Sequence, residues 1–205
     1  MKLPADDAKL VQVVDTALAD AAQRAGAWLA CRPGCTPCCH GAFAINALDV
    51  ARLQAALERL RASNPEAAEA VETRARLWWA EWSAEFPGDR ASGILGTSDD
   101  AITRFEDYAN EAACPALDTG TGLCAVYDGR PMTCRVFGPP VRMGAGESLG
   151  CCELCFAGAT EAEIASCEMP VPHELEAQLL AGMEQTGDTV VAFALLPATQ
   201  KKQAT

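Results

Sequence analysis

Cys31-Arg-Pro-Gly-Cys35-Thr-Pro-Cys38-Cys39, early in the chain, and Cys151-Cys152-Glu-Leu-Cys155, late in it, hold seven of the eleven cysteines in two dense knots. Between the knots Cys114, Cys124 and Cys134 are evenly spaced, and Cys167 trails behind. A thiolate is the softest ligand a side chain offers. Several thiolates drawn together from loops need a soft metal or an oxidant to make their burial favourable. The pattern therefore predicts a metal site built from Cys31, Cys35, Cys38, Cys39, Cys114, Cys124, Cys134, Cys151, Cys152 and Cys155.

Two blander uses of cysteine compete with this reading. Disulfide scaffolds belong to exported chains, and the start Met1-Lys2-Leu3-Pro4-Ala5-Asp6-Asp7 carries no apolar run of the signal-peptide kind. The expectation is a cytoplasmic protein, and an odd cysteine count would leave one thiol over. Buried inert thiols, behaving as small hydrophobes, suit Cys167 on its helical stretch but do not account for the knots. A formal net charge of -12 repels phosphate backbones, which argues against nucleic acid as a partner. The longest apolar run, Val190 to Leu196, falls far short of the roughly 20 residues of a membrane span and reads as a buried strand or packed tail. Metal ions are the expected partners; no feature identifies a protein partner.

Working outward from the first knot, Leu10, Val13, Val14, Ala17, Leu18 and Ala21 repeat at helical spacing across a segment from Asp6 to Leu29. Pro33, Gly34 and Pro37 keep the knot itself in a loop. Asn46 to Asp49 opens a second helix in the manner of a capping box, with Leu48, Leu53, Leu57 and Leu60 as its apolar face. Asn64-Pro65 restarts a helix that runs to about Phe86, with Trp78, Trp79 and Trp82 in its core-facing half. Ser98 caps another helix, with Ile102, Phe105 and Tyr108 expected on its inner face.

From Cys114 onward Pro115, Gly120, Gly122, Gly129, Pro131, Gly138, Pro139, Pro140, Gly144 and Gly146 leave room for little beyond a short strand at Leu123 to Tyr127. Helices return at about Thr160 to Ser166 and Pro172 to Met183. The expected fold is mainly α: one small helical domain over residues 1–205, with irregular, metal-organised cysteine-rich loops and at most short strands.

The first knot with Ile45-Asn-Ala-Leu-Asp49-Val50 resembles the opening of the YkgJ-type cysteine-cluster family, a zinc- or iron-chelating domain. Cys114-Pro-Ala-Leu117 and Cys124-Ala-Val-Tyr127-Asp-Gly-Arg130-Pro131-Met-Thr-Cys134-Arg135-Val-Phe137 resemble that family's second block. The resemblance spans about Cys31 to Pro140, with Cys155 matching a later family cysteine. The helical stretch of about 64–112 looks like an insertion or a diverged part. Three residues separate Cys31 from Cys35 where the family usually has two, and Cys151-Cys152 has no clear place in the common pattern.

Cysteines two residues apart can grip one ion from a single turn. Vicinal pairs such as Cys38 and Cys39 normally diverge, which tilts the expectation toward an iron-sulfur cluster over Zn2+, although the thiols suffice for two zinc sites. Arg130 and Arg135 flank Cys134 and could stabilise a thiolate-rich centre, or equally form ordinary salt bridges. Tyr127 reads as a core residue behind the loop. Of the two histidines, His40 could complete a mixed shell beside the first knot, and His173 opens a helix.

Cys31-x3-Cys35-x2-Cys38 has the radical S-adenosylmethionine spacing, but no alternating strands follow it. Cys35-x3-Cys39-His40 is a variant of a haem attachment spacing. Two function classes stand: a metal-binding module, with zinc or an iron-sulfur centre for metal handling or structure, and an iron-sulfur enzyme or redox protein. The second includes the methylase-like option, since the resemblance extends weakly to flagellin lysine methylases. The chain has no glycine-rich nucleotide loop, and the binding description is preferred; Cys35, Cys38, Cys39, Cys114, Cys124 and Cys134 are expected to converge.

Overall fold

A computed structural model of the protein describes residues 2–142, 149–184, 186–197 and 200. Eight helices occur among these residues: α1 Asp7–Ala25, α2 Ala47–Ser63, α3 Pro65–Trp82, α4 Asp99–Glu106, α5 Met132–Val136, α6 Glu161–Ser166, α7 His173–Ala181 and α8 Val191–Leu195. The strands are two residues each: β1 Ala44–Ile45, β2 Gly88–Asp89, β3 Ile94–Leu95, β4 Leu117–Asp118, β5 Leu123–Cys124, β6 Val141–Arg142, β7 Leu149–Gly150 and β8 Thr189–Val190. They pair antiparallel as β1 with β8, β2 with β3, β4 with β5 and β6 with β7. The fold is therefore mainly α with irregular cysteine-bearing loops. Of the loop-marking glycines, Gly144 and Gly146 lie outside the described residues.

The chain folds as two compact units, one of residues 1–2, 36–131 and 183–205, the other of residues 3–35 and 132–182. In the first, α2 packs on α3, and α8 packs on both. The caps that begin these helices follow from the sequence. Asn46 accepts a hydrogen bond from the Asp49 N–H and Asn64 from the Ala67 N–H, while Ser98 does the same for Ala101, each satisfying an otherwise orphaned donor. Trp79 meets Phe86 and Phe193 edge-on, with both centroid distances 5.1 Å, and Trp78 meets Tyr108 at 5.8 Å. Such pairs add about 0.5–1.5 kcal/mol beyond simple burial. The Tyr108 hydroxyl donates to the Trp82 carbonyl. The tail from Val190 to Leu196 is buried throughout, its first residues a strand and the rest a helix.

Two apolar side chains stand differently from the pattern. α4 ends at Glu106, so Tyr108 reaches the core from the turn beyond it, and Ile102 faces solvent at 53 % exposure. Tyr127 is also exposed, and the Arg130 guanidinium lies 3.9 Å above its ring. The helical turn Tyr127–Gly129 is pressed against α2 so tightly that a Cβ on Gly129 would come within 2.4 Å of the Ala56 side chain. Tyr127, two residues before it, is turned outward.

In the second unit α1 packs on α5 and α7, burying Leu10, Val14 and Ala21 while Val13 is left exposed. Each fully buried leucine of this kind contributes about 1.5–3 kcal/mol. A smaller apolar cluster forms around Ala25, Cys152, Cys155, Phe156 and Cys167. No helix among the described residues is long and apolar enough to cross a membrane.

Candidate metal centre

The ten predicted ligand cysteines divide between the units. Cys38, Cys39, Cys114 and Cys124 belong to the first, and Cys31, Cys35, Cys134, Cys151, Cys152 and Cys155 to the second. Of the six expected to converge, four therefore fall in one unit, with Cys35 and Cys134 in the other.

In the first unit the chain zips along the knot. The Cys114 N–H donates to the Cys39 carbonyl at 2.7 Å, the Gly41 N–H donates to the Ala112 carbonyl at 2.9 Å, and His40 forms a bridge with Ala113. The β4–β5 hairpin then returns Cys124 beside Cys114. Pro37 starts a single helical turn, Pro37–Cys39, on which the Cys38 and Cys39 thiols share a hydrogen bond.

In the second unit both knots are turns. Cys35 N–H donates to the Arg32 carbonyl and Cys155 N–H to the Cys152 carbonyl, each at 2.9 Å. The Cys155 thiol hydrogen-bonds the thiols of Cys31 and Cys152, and Cys35 lies within electrostatic reach of both. Cys151 is exposed and senses Cys155. Cys134 is half-buried on α5, beside Arg135. Cys167 ends α6, buried in the same cluster as Cys152 and Cys155.

Burial and neighbouring groups raise six of the thiols, Cys31, Cys38, Cys114, Cys124, Cys151 and Cys152. Desolvation, then the Cys155 thiol, pushes Cys31 up to about 12. Desolvation pushes Cys114 up to about 12 against the favourable charge of Arg74. The hydrogen bond from Cys39, then desolvation, raises Cys38. Desolvation also raises Cys124, Cys151 and Cys152. A cation entering these sites must displace the protons, as a soft divalent ion does when it binds thiols.

The arginines take distinct positions. Arg130 lies close enough to Cys124 to favour its thiolate. Arg135 is buried, and its Nη1 donates to both carboxylate oxygens of Asp15 at 2.7 and 2.8 Å, which is the salt-bridge alternative. Arg74, which the sequence pattern did not single out, donates from Nε to the Pro115 carbonyl and lies near Cys114. Its position on α3, far along the chain from the cysteines, left no local signal. Exposed His40 has its Nδ1 3.2 Å from the Thr36 carbonyl. Among the described residues no group of three or more His, Cys, Asp or Glu is arranged to hold a metal ion as it stands. The donor types are nevertheless those that suit a thiophilic cation, with arginines Arg74 and Arg130 beside the thiols of Cys114 and Cys124.

Residues 30–155 match the CxxCxxCC family, described as "Putative zinc- or iron-chelating domain". The chain belongs to this family. No curated protein and no solved structure matches the chain. The CxxCxxCC match begins just before Cys31 and ends at Cys155, so it takes in every predicted ligand, and Cys167 alone among the cysteines falls beyond it.

Proposed function

We propose that this CxxCxxCC protein is a stoichiometric chelator that holds zinc or iron as single ions through thiolates, without catalysis of its own. The observation that carries the reading is the approach of cysteines from opposite ends of the matched region: the Gly138 carbonyl accepts from the Cys152 N–H at 3.2 Å, and a Cβ on Gly138 would lie 2.8 Å from the Cys31 Sγ. Thiols brought near one another from remote loops are what a thiolate site needs, and a bound ion would displace their protons. Cys31, Cys35, Cys152 and Cys155 would hold metal in one unit and Cys38, Cys39, Cys114 and Cys124 in the other, with Cys134 and Cys151 as further donors. The bound ion would supply a rigid cross-link between loops that have little regular structure.

The test is anaerobic purification followed by metal and sulfide analysis. Zinc or iron bound at whole-number stoichiometry, with no acid-labile sulfide, is the expected result. A brown protein with stoichiometric sulfide would replace this reading with an iron-sulfur one, and protein that binds neither metal on reconstitution would refute chelation.

A further inference from the structure

We infer that α4 and the end of α3 form a docking surface for a cationic amphipathic segment of another protein, built on Ile102, Phe105 and Trp82 and rimmed by carboxylates, apart from the cysteines and from any metal they hold.

The apolar part of this surface comes from two helices of the first unit. Ile102 and Phe105 stand three residues apart on α4, so their side chains share one helix face. Ile102 is 53 % exposed, while Phe105 and Trp82 are half-buried, with their inner sides packed on the core. Tyr108 holds both rings. Its ring centroid lies 6.2 Å from that of Phe105 and 6.4 Å from that of Trp82, and its hydroxyl donates to the Trp82 carbonyl. The Arg104 guanidinium donates to the Glu85 carbonyl, which ties α4 to the turn after α3. Two rings fixed by the core, with an exposed aliphatic side chain one turn along, are preorganised contacts, the kind from which an interface draws most of its affinity.

The rim selects the partner's charge. Asp99 and Glu106 are three and four residues from Ile102 and so flank it on the helix surface. Exposed Asp100 and Asp107 extend the rim along α4 and its cap, and exposed Glu81 and Glu85 stand on either side of Trp82 in the chain. Arg104 is the one basic residue from Ser98 to Glu111, and it is already engaged with the Glu85 carbonyl and, at 4.0 Å, with Asp100. Asp99 and Asp100 suit a helix N-terminus, but Glu106 and Asp107, at the other end of α4, oppose the macrodipole. Helix α3 likewise has Glu81 and no basic residue in its last turn. Folding alone therefore does not account for these carboxylates. A segment with Lys or Arg bracketing apolar residues complements both features: its cations meet the carboxylates and the Trp82 and Phe105 rings, and its apolar face covers Ile102. The same rim opposes a second copy of this chain, whose formal net charge is -12.

The full-length protein is titrated into a labelled helical peptide of leucine and lysine at amphipathic spacing, read by fluorescence anisotropy, and into the same peptide with glutamate in place of lysine. The lysine peptide is expected to bind, less tightly as salt rises, and the glutamate peptide is not. Ile102→Ser should weaken binding by at least about tenfold, because burial of that side chain is lost. Asp99→Asn/Glu106→Gln should weaken it more than Glu66→Gln/Glu69→Gln, which removes the same charge about 20 Å along α3 from Trp82. Val13→Ser, at an exposed aliphatic position of the second unit, should bind as wild type does. Wild-type affinity in Ile102→Ser, equal losses in the two charge variants, or failure of the wild-type protein to bind the lysine peptide would each overturn the inference. Self-association of the wild-type protein that Ile102→Ser abolishes would also overturn it, and would put a second copy on this face.

Discussion

Gly138 shows how much of a thiolate site depends on a residue with no side chain. It adopts φ 128, open in practice to glycine, and faces the Cys31 sulfur. Gly138→Ala therefore brings two costs, backbone strain of about 1–3 kcal/mol and a clash with a ligand. Gly158→Ala separates them, because Gly158 also has positive φ, at 81, but no atom within 4 Å of its would-be Cβ. Both variants are expected to lose thermal stability, whereas only Gly138→Ala should weaken Zn2+ or Co2+ binding. Equal metal affinity in the two would mean that the Cys31 sulfur does not depend on that clearance. The arginines divide by the same kind of local fact: Arg130 and Arg74 lie near the thiols of Cys124 and Cys114, while Arg135 binds Asp15.

Among the elements, α6 offers the cleanest electrostatic test. The Glu163 carboxylate accepts from the Thr160 N–H and hydroxyl, both at 2.7 Å, while the Thr160 hydroxyl accepts from the Glu163 N–H, a full capping box. These bonds hold the Glu163 carboxyl below its usual range. A lowered folded-state value stabilises the protein above the ordinary glutamate range, near about 4.3, and the contribution disappears as pH falls through the folded-state value. Wild type should therefore melt higher than Glu163→Gln at neutral pH, and the difference should vanish in acid; a gap independent of pH would show that the carboxylate's charge plays no part.

Capping residues made the helix starts legible, as at Asn46, Asn64 and Ser98, since a cap is a local event between residues three apart. Ile102 and Tyr127 were misplaced because their exposure is decided by neighbours distant in sequence. The ligand types were plain in the knots. Their partition was not, because the unit boundary falls between Cys35 and Thr36, inside what reads as one continuous motif.

For the whole molecule, the two units carry different amounts of apolar core. The first joins Trp78, Trp79, Phe86, Tyr108 and Phe193 with α2 and α8 in one continuous cluster. Among the described residues the second relies on the buried face of α1, on Met132 and Met169, and on a cluster in which three of the five buried members are cysteines. Where a core is thin, the free energy of binding a structural ion becomes folding free energy, and removing the ion removes it. Chelator treatment followed by hydrogen exchange should consequently divide the chain. Peptides from 7–35 and 149–167 are expected to lose protection by the larger factor, while α2, α3 and α8 keep most of theirs, because Leu48, Leu53, Val71 and Leu195 are buried without help from sulfur. The metal-free protein should then unfold in two steps, the first absent when metal is restored. Uniform loss of protection along the chain would mean that the ion supports both cores equally. Unchanged protection everywhere would make it a cargo that the fold does not need.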